Sequence, residues 1–600
     1  MYISTYLTLD TALSGVEAAQ QQLDITGQNI SNASTPGYAD QTVNLVESPP
    51  LAIAGSGSDG ALQLGTGVNA TGVSNASDPY LDSAWRAQNA ATSGANTTQT
   101  YLQQVQAAVN EPSTTGINSQ LSKFWSDWNT LADNPTSAAA QQAVINDGEN
   151  LSQTFNTLSN TLNGPDPLHP TGPTNSSSVL GQVNAQYQDV MQGPTGAGAS
   201  GGSVYNYAYQ IASLNASITQ ATAIGQSPNN LIDQRNAAID GLSALGNVTV
   251  QNNTDGSVTV YFGGVTGTAL VKDPVGIPPG GTVPPGDNFG SYSTTVGGTG
   301  TGWAQAFQDQ YKNDAATVSA ASLANTVGGT LGALIGLAGY SASGFGNLGQ
   351  PVQTSATAPT TYNATTTGAA GVPATQAGTI GTLSTQLDNV ATALMNEVNN
   401  PAVVYNGTAV QTSTGTKPVP TPPATTTAAN GATTLLSDFF VAPASTSTNS
   451  TAATIQVASS LQQAAINGIT PGQFTTSGSY NDNGVNNIQT STLGTSFAGN
   501  YSSNNDVALA EANNSGGAAD LSYQSFIQTV GSLASGAKQQ DTTASALQTQ
   551  ISNQRQSVEG VDLNNEMANL ITEQQSYQAS AKVMGAFSTV MDSLMTIVGQ

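Results

Sequence analysis

"ITGQNISNASTPGYADQ", residues Ile25 to Gln41, ends an apolar pattern abruptly. Seven of the ten residues from Asn29 to Tyr38 are Asn, Ser, Thr, Pro or Gly. Pro36 lacks an amide hydrogen and biases Thr35 away from the α region. Pro36-Gly37 fits the two central positions of a type II turn, whose second position favours glycine. Asn29 and Asn32 can close side-chain turns on the backbone. So specific a stop implies that the helix before it is fixed by packing. After it, Gln41 to Val46 reads as a strand.

Working upstream, Leu9, Leu13, Val16, Gln20, Leu23, Gly27 and Ile30 recur at alternating spacings of four and three, and five of these seven are apolar. That is the a/d seam of a heptad repeat. The far end of the chain matches it. Leu563, Met567, Leu570, Gln574, Tyr577, Ala581, Met584, Ser588, Met591, Met595 and Val598 keep the same spacing, nine of the eleven being apolar. Asp562 fits an N-cap, and Glu566 falls in the first turn, where the helix dipole favours an acid. An isolated amphipathic helix is marginal in water, so the economical solution packs the two ends on each other as a coiled-coil-like stem. Two readings stay open on pattern alone. The pair is either a closed helical hairpin within one molecule or a stem that packs further against neighbouring copies.

Composition narrows the function. Six hundred residues exceed one core, and only 7% are charged, with 35 acids against 9 bases and a formal net charge of −26. Phosphate recognition draws on clustered Lys and Arg, so no nucleic acid and no anionic membrane surface is expected as partner. The chain has no cysteine and one histidine, which argues against disulfide and zinc chemistry. The N-terminal MYISTYLTLD has no basic n-region or long apolar core of a cleaved signal, and no membrane insertion is expected.

The motifs carry a resemblance. Leu13 to Val43, "LSGVEAAQQQLDITGQNISNASTPGYADQTV", is similar to the N-terminal signature of bacterial flagellar rod, hook and hook-associated proteins. In that family a helix ends in Asn-Ile-(Ala/Ser)-Asn-x-x-Thr-Pro-Gly-Tyr, matched here by Asn29, Asn32, Thr35, Pro36, Gly37 and Tyr38. Ser557 to Gly599 resembles the matching C-terminal signature. Inside, Ser227 to Gln251, Gly328 to Leu337 and Leu387 to Asn399 resemble the hook-associated protein 1 family, as does the helical stretch Tyr80 to Leu162. The pattern departs after Asn399, where a histidine is usual in that family and Asn400-Pro401-Ala402-Val403 stands instead.

The resemblance implies a structural subunit at the junction of hook and filament, exported without a cleaved signal peptide and located outside the cell. Its implied partners are copies of itself, the hook protein, a second junction protein and an export chaperone. The expected assembly contacts set Leu9, Leu13, Val16, Leu23 and Ile30 against Leu563, Met567, Leu570, Tyr577, Met584, Met591 and Met595. No enzyme activity, cofactor or metal is expected. Alternatives are a hook or rod protein, or an extracellular adhesin or enzyme with a binding module on a helical stalk.

The expected fold is multidomain α plus β. Residues 1–50 with 558–600 form the stem. Residues 51–245, 325–400 and 501–557 form a helical body. Residues 246–324 are expected as an outer β-rich insert and 401–500 as a variable outer insert. Helices are expected over Tyr80 to Val109, Ile117 to Leu131, Thr136 to Leu162, Val204 to Ile224, Asn229 to Leu245, Ala304 to Leu337, Ile380 to Asn399 and Leu521 to Val558. Asp255-Gly256 between two β-branched runs is a hairpin signal.

Motifs of chemistry are weak throughout. His169 sits in a proline-rich loop. Gly198 to Gly202 matches a nucleophile elbow in form, but the one histidine precedes it. Gly344 to Gly349 matches a dinucleotide fingerprint with Pro351 where a helix should begin. Asn253 to Gly256 and Asn481 to Gly484 lack the carboxylates of a calcium loop.

Overall fold

The computed structural model describes residues 5–53, 62–134, 137–164, 177–191, 203–265, 268–272, 307, 319–339, 378–399, 404–405, 408–409, 439–441, 451–458, 512 and 514–598. His169, the glycine motifs at 198–202 and 344–349, and Asn481 to Gly484 lie outside these residues.

The first helix, α1 (Thr5–Asn32), stops at the polar motif. Thr35 and Tyr38 close the turn with a 3.2 Å backbone bond across Pro36-Gly37. Gly37 sits at φ +81°, and a Cβ there would also come within 3.1 Å of Ala237 Cβ, so glycine is required twice over. The chain then runs out and back as an antiparallel arm. β1 (Gln41–Glu47) pairs with β4 (Val68–Asn75), with a register shift between Asn44 and Leu45, and β2 (Leu51–Ile53) pairs with β3 (Leu62–Leu64). The arm's return strand rests on α1, where the Val68 amide donates to Ser14 Oγ at 3.3 Å.

The body is helical. Asp78 caps α2 (Pro79–Val109) by accepting from the amides of Tyr80 and Leu81, with Pro79 at the first position, where its missing N–H costs nothing. α3 (Ile117–Asp133), α4 (Ala138–Asn163), α5 (Val179–Met191), α6 (Ser203–Ala223) and α7 (Asn229–Leu245) follow. No helix was expected at α5, although Leu180, Val183, Tyr187 and Met191 follow a helical spacing and are buried. After the hairpin of β5 (Val248–Asn252) and β6 (Val258–Phe262) come α8 (Ala320–Val327), α9 (Gly329–Ala338) and α10 (Thr379–Asn399). α12 (Ala518–Glu559) returns antiparallel to α2, as three contacts show. Arg555 meets Asp82, Gln88 donates to the Ala544 carbonyl, and Tyr523 donates to Glu111. The last helix, α13 (Leu563–Val598), is capped by Asp562, which accepts from the Asn564 amide at 2.8 Å.

One continuous apolar core joins helices α2 through α10 and α12, with Phe124, Trp125 and Trp128 of α3 in its middle. Trp125 Nε1 donates to Asp520 Oδ2 at 3.1 Å, which satisfies the indole where no water reaches.

The outer β-rich inserts need correction. Among the described residues β structure occurs as two-stranded ladders in a mostly helical molecule. In 246–324 the β5–β6 hairpin does not stand off the body. Val258, Val260 and Phe262 are all buried in the core, and the bridge from Val260 to Val271 covers the other side of β6. The other face is covered as well, with Thr259 buried and Tyr261 half-buried, so the polar positions of Val-Thr-Val-Tyr-Phe suggest an open face that the fold does not leave. In 401–500 the described pieces are β7 (Val404–Tyr405), β8 (Thr408–Ala409), β9 (Phe440–Val441), α11 (Thr451–Thr454) and β10 (Gln456–Val457). Phe439 and Phe440 pack on Phe124 with ring centroids 5.7 Å away, and a Cβ on Gly148 of α4 would collide with Phe439. Residues 439–441 and 451–458 therefore belong to the body.

Candidate functional site

α1 and α13 lie antiparallel. Asn29 faces Glu566, Thr26 faces Glu573, and a Cβ on Gly15 would sit 3.0 Å from Ser580 Oγ. Ala12, Val16, Ala19 and Thr26 are buried on the α1 side, with Leu23 and Ile30 half-buried between and beyond them. On α13 the covered face runs through Glu566, Leu570, Glu573, Ser580, Met584, Phe587 and Met591.

The expected contact residues divide accordingly. Val16 is buried, and Leu9, Leu23, Ile30, Leu570, Met584 and Met591 are half-buried. Leu13 is 42% exposed, Met567 51% and Met595 72%, and Leu563 and Tyr577 also face outward. Leu13 and Met567, which leave the seam, each lie one residue beyond a position that turns toward the contact, Ala12 and Glu566. The contact runs instead through Gly15, Thr26 and Asn29 against Ser580, Glu573 and Glu566, with Ala12 and Ala19 buried on the same helix. Small and hydrogen-bonding side chains let the backbones approach closely, while heptad reading selects for apolarity alone.

Asn29 is the hub of the joint between this pair and the body. Its Nδ2 donates to Asp40 Oδ1 at 2.6 Å, the Gln41 carbonyl at 2.9 Å and Glu566 Oε2 at 3.1 Å. Its Oδ1 accepts from Tyr38 Oη at 2.8 Å and the Gln41 amide at 3.2 Å. The side-chain amide thus pairs with the backbone of Gln41 as a neighbouring strand would. Within the motif, Thr35 Oγ1 donates to Asn32 Oδ1 at 3.2 Å and Asn32 Nδ2 to the Gln28 carbonyl at 3.0 Å. Burial, together with the charges of Asp233, Asp40 and Glu566, pushes the Tyr38 hydroxyl up to about 12.

Below the hub lies an ion-pair network. Arg555 Nη1 and Nη2 reach Asp240 Oδ2 at 2.6 Å and Asp82 Oδ1 at 2.7 Å, and its Nε donates to Glu559 Oε2 at 2.8 Å. Arg86 Nε donates to Asp240 Oδ1 at 2.7 Å. The Arg555 guanidinium stands 5.2 Å over the Trp85 ring. Burial pulls its pKa down, but Asp240, Asp82 and Glu559 together outweigh that and raise it. Glu559 ties the network to the stem, its carbonyl accepting from the Asp40 amide at 2.8 Å and its Oε1 from the Asp78 amide at 3.0 Å. These residues were missed in the sequence. The signal was there in the scarcity of bases, since a chain with nine Lys and Arg in all rarely spends one without a partner.

The arrangement is mechanical. Among the described residues no group of three or more His, Asp or Glu is placed to hold a metal ion, and no helix is long and apolar enough to cross a membrane.

Comparison with known proteins agrees with this anatomy. A family model described as the flagellar hook-associated protein FlgK helical domain matches residues 102–166 and 178–416, about half of the chain. A flagella basal body rod protein model matches 9–38, and a flagellar basal body rod FlgEFG protein C-terminal model matches 552–597. Flagellar hook-associated protein 1 of Bacillus subtilis is 30% identical over 254 residues, 42% of this chain and 45% of that protein. The Escherichia coli protein of the same name is 29% identical over 266 residues, 44% of this chain and 43% of its own length. The chain thus spans a little under half the length of these relatives. A solved structure of the flagellar hook junction protein FlgK from Burkholderia pseudomallei aligns with 54% of this chain and 44% of its own, at 18% identity and a TM-score of 0.32. On the strength of the helical-domain match, flanked by the two rod-protein models at the ends, this chain belongs to the FlgK family of flagellar hook-associated proteins.

Proposed function

We propose that this chain is a structural subunit of the bacterial flagellum that forms the junction between hook and filament, adding to copies of itself through α1 and α13. The observation that carries the reading is the unequal covering of α13. One face is seated on α1, while Met567, Ile571, Val583, Val590 and Met595 stand about half exposed or more on both flanks of that face. A surface of this kind on a paired helix suits burial between neighbouring subunits. Methionine is adaptable enough to contact neighbours of different kinds, which fits a subunit between the hook protein on one side and a second junction protein on the other.

In this reading residues 1–50 with 558–600 are the assembly stem and the remaining helices are the body. The subunit works outside the cell, is exported without a cleaved signal peptide, and meets an export chaperone on the way. The motif residues Asn29, Asn32, Thr35, Pro36, Gly37 and Tyr38 set the angle between stem and body.

Deleting Leu563 to Gln600 tests the proposal. The truncated chain is expected to stay soluble with a folded body and to fail to incorporate, and cells lacking the whole protein are expected to build hooks without filaments. Normal incorporation of the truncation overturns the role of α13. A hook or rod subunit shares both ends. It is separated by localisation, since a signal along the whole hook or rod rather than at the hook tip excludes the junction.

A further inference from the structure

The joint holds a hydrogen-bond shortfall that the assembly reading does not use. Asn29 Nδ2 carries two protons and has three acceptors within 3.1 Å, namely Asp40 Oδ1, the Gln41 carbonyl and Glu566 Oε2. The amide cannot be turned round, because its oxygen receives the Gln41 amide and the Tyr38 hydroxyl. Nearby, Asn75 Nδ2 donates to Asp233 Oδ1 at 2.7 Å, but no well-formed bond reaches the buried Oδ2, although the Ala39 backbone amide and the Gln41 side-chain amide ease its charge. On α13, Thr26 donates to Glu573 Oε1 at 3.3 Å and Oε2 is buried without a donor. At the hub a proton on Asp40 can supply the donor that Asn29 lacks, and at Asp233 and Glu573 a proton removes the negative charge from a buried oxygen that no well-formed bond reaches.

Charge leads to the same place. α2 contributes Asp82 and Arg86, with Asp78 at its cap, α7 contributes Asp233, Arg235 and Asp240, and α12 contributes Arg555 and Glu559. The stem brings Asp40, Asp562, Glu566 and Glu573, with Asp24 exposed on α1. Arg86 and Arg555 are committed to Asp82, Asp240 and Glu559, and Arg235 donates to Asn215 Oδ1 and the Gly256 carbonyl. Among the described residues no ion pair reaches Asp40, Asp233, Glu566 or Glu573.

We propose that the joint is a proton-operated latch, in which a proton on Asp40 supplies the donor missing at the hub and protons on Asp233 and Glu573 neutralise their uncovered buried oxygens, so that proton uptake seats the terminal helix pair on the body and proton loss loosens it. Burial raises all three carboxyl groups above their ordinary range, aided by Glu566 at Asp40 and Glu573 and by Glu559 at Asp233, which reaches about 6. The folded joint then binds more protons than the open one, so its stability is fully present below the ordinary carboxyl range and declines as pH rises through the raised values, for Asp233 between about 4 and about 6.

Hydrogen exchange on the full chain at pH 5 and pH 8, corrected for intrinsic rates, tests this. Protection in α1 and in residues 563–580 is expected to fall at least about tenfold from pH 5 to pH 8, while the core of α2 and α12 holds. The double variant Asp40→Asn, Asp233→Asn is expected to lose most of that dependence. Equal protection of the native stem at the two pH values, including none at either, overturns the latch whatever the variants do, as does an unchanged dependence in a folded variant. The latch gives the assembly stem a control, and in that sense rests on the assembly reading. Its readout needs no flagellum, however, so a failure here is distinct from a failure to incorporate.

Discussion

Two antiparallel helix pairs join early and late parts of this chain, and they are built to different ends. In α2–α12 the inward residues Leu102, Val105, Tyr523, Phe526 and Val530 are almost wholly covered by the chain itself. In α1–α13 the contact is narrower, Glu566 is buried where a leucine would be ordinary, and large apolar side chains remain outside it. Burying such a side chain contributes about 1.5–3 kcal/mol. The body has already collected that stabilisation. The stem has left much of it to be gained from neighbours.

Breaking the body should have the largest effect. Trp125→Ala removes a buried indole from the centre of the core and leaves Asp520 Oδ2 with the Gly516 amide but without the indole donor. A loss of about 3–5 kcal/mol is expected, visible as a large drop in the melting temperature. Arg555→Met comes next. It leaves Asp82, Asp240 and Glu559 facing one another without their shared cation, at a cost near the lower end of about 3–5 kcal/mol because Arg555 is partly solvated. Chemical denaturation should show it, with the loss smaller at low pH, where Asp82, whose pKa burial raises, takes up a proton.

Asn29→Ala should sharpen the contrast. It leaves the Gln41 amide unsatisfied and removes the donors to Asp40 and Glu566, with about 1–3 kcal/mol expected. The loss should register as faster exchange in α1 and the first turns of α13, and the body's melting should hardly move. An equal loss of protection in α2 and α12 would show that the two pairs are one cooperative unit. The smallest effect on the isolated chain is expected for Met567→Ser, within about 0.5 kcal/mol as at other exposed sites, together with poorer incorporation into flagella. Unimpaired incorporation would mean that the exposed flank of α13 is not an assembly surface.

Much of this was legible in residue order. The helix stop at Asn32, the Pro36-Gly37 turn, the Asp562 cap and the hairpin at Asp255-Gly256 depend on backbone preferences that act within a few residues. So do the long helices from 79–109 and 518–559. The seam was legible only to within one residue. Spacing gives a helix a face but does not say which edge of it will be nearest a partner, and Gly15, Thr26 and Asn29 do not look like contact residues until Ser580, Glu573 and Glu566 stand opposite.

By itself, then, the sequence determined where most of the long helices begin and end, though not α5 or the break at Gly328, that the two extremities are amphipathic, and which motifs they share with flagellar axial proteins. Only the tertiary structure decided that the 248–262 hairpin and Phe439-Phe440 lie inside the body, that Arg86 and Arg235 are buried, and that Asn29 holds Asp40, Gln41 and Glu566 together. The physical reason is distance along the chain. Turns and caps are satisfied by neighbours a few residues away, whereas buried charges and amides are satisfied by groups hundreds of residues apart, 537 for Asn29 and Glu566, and no local pattern encodes such a partner.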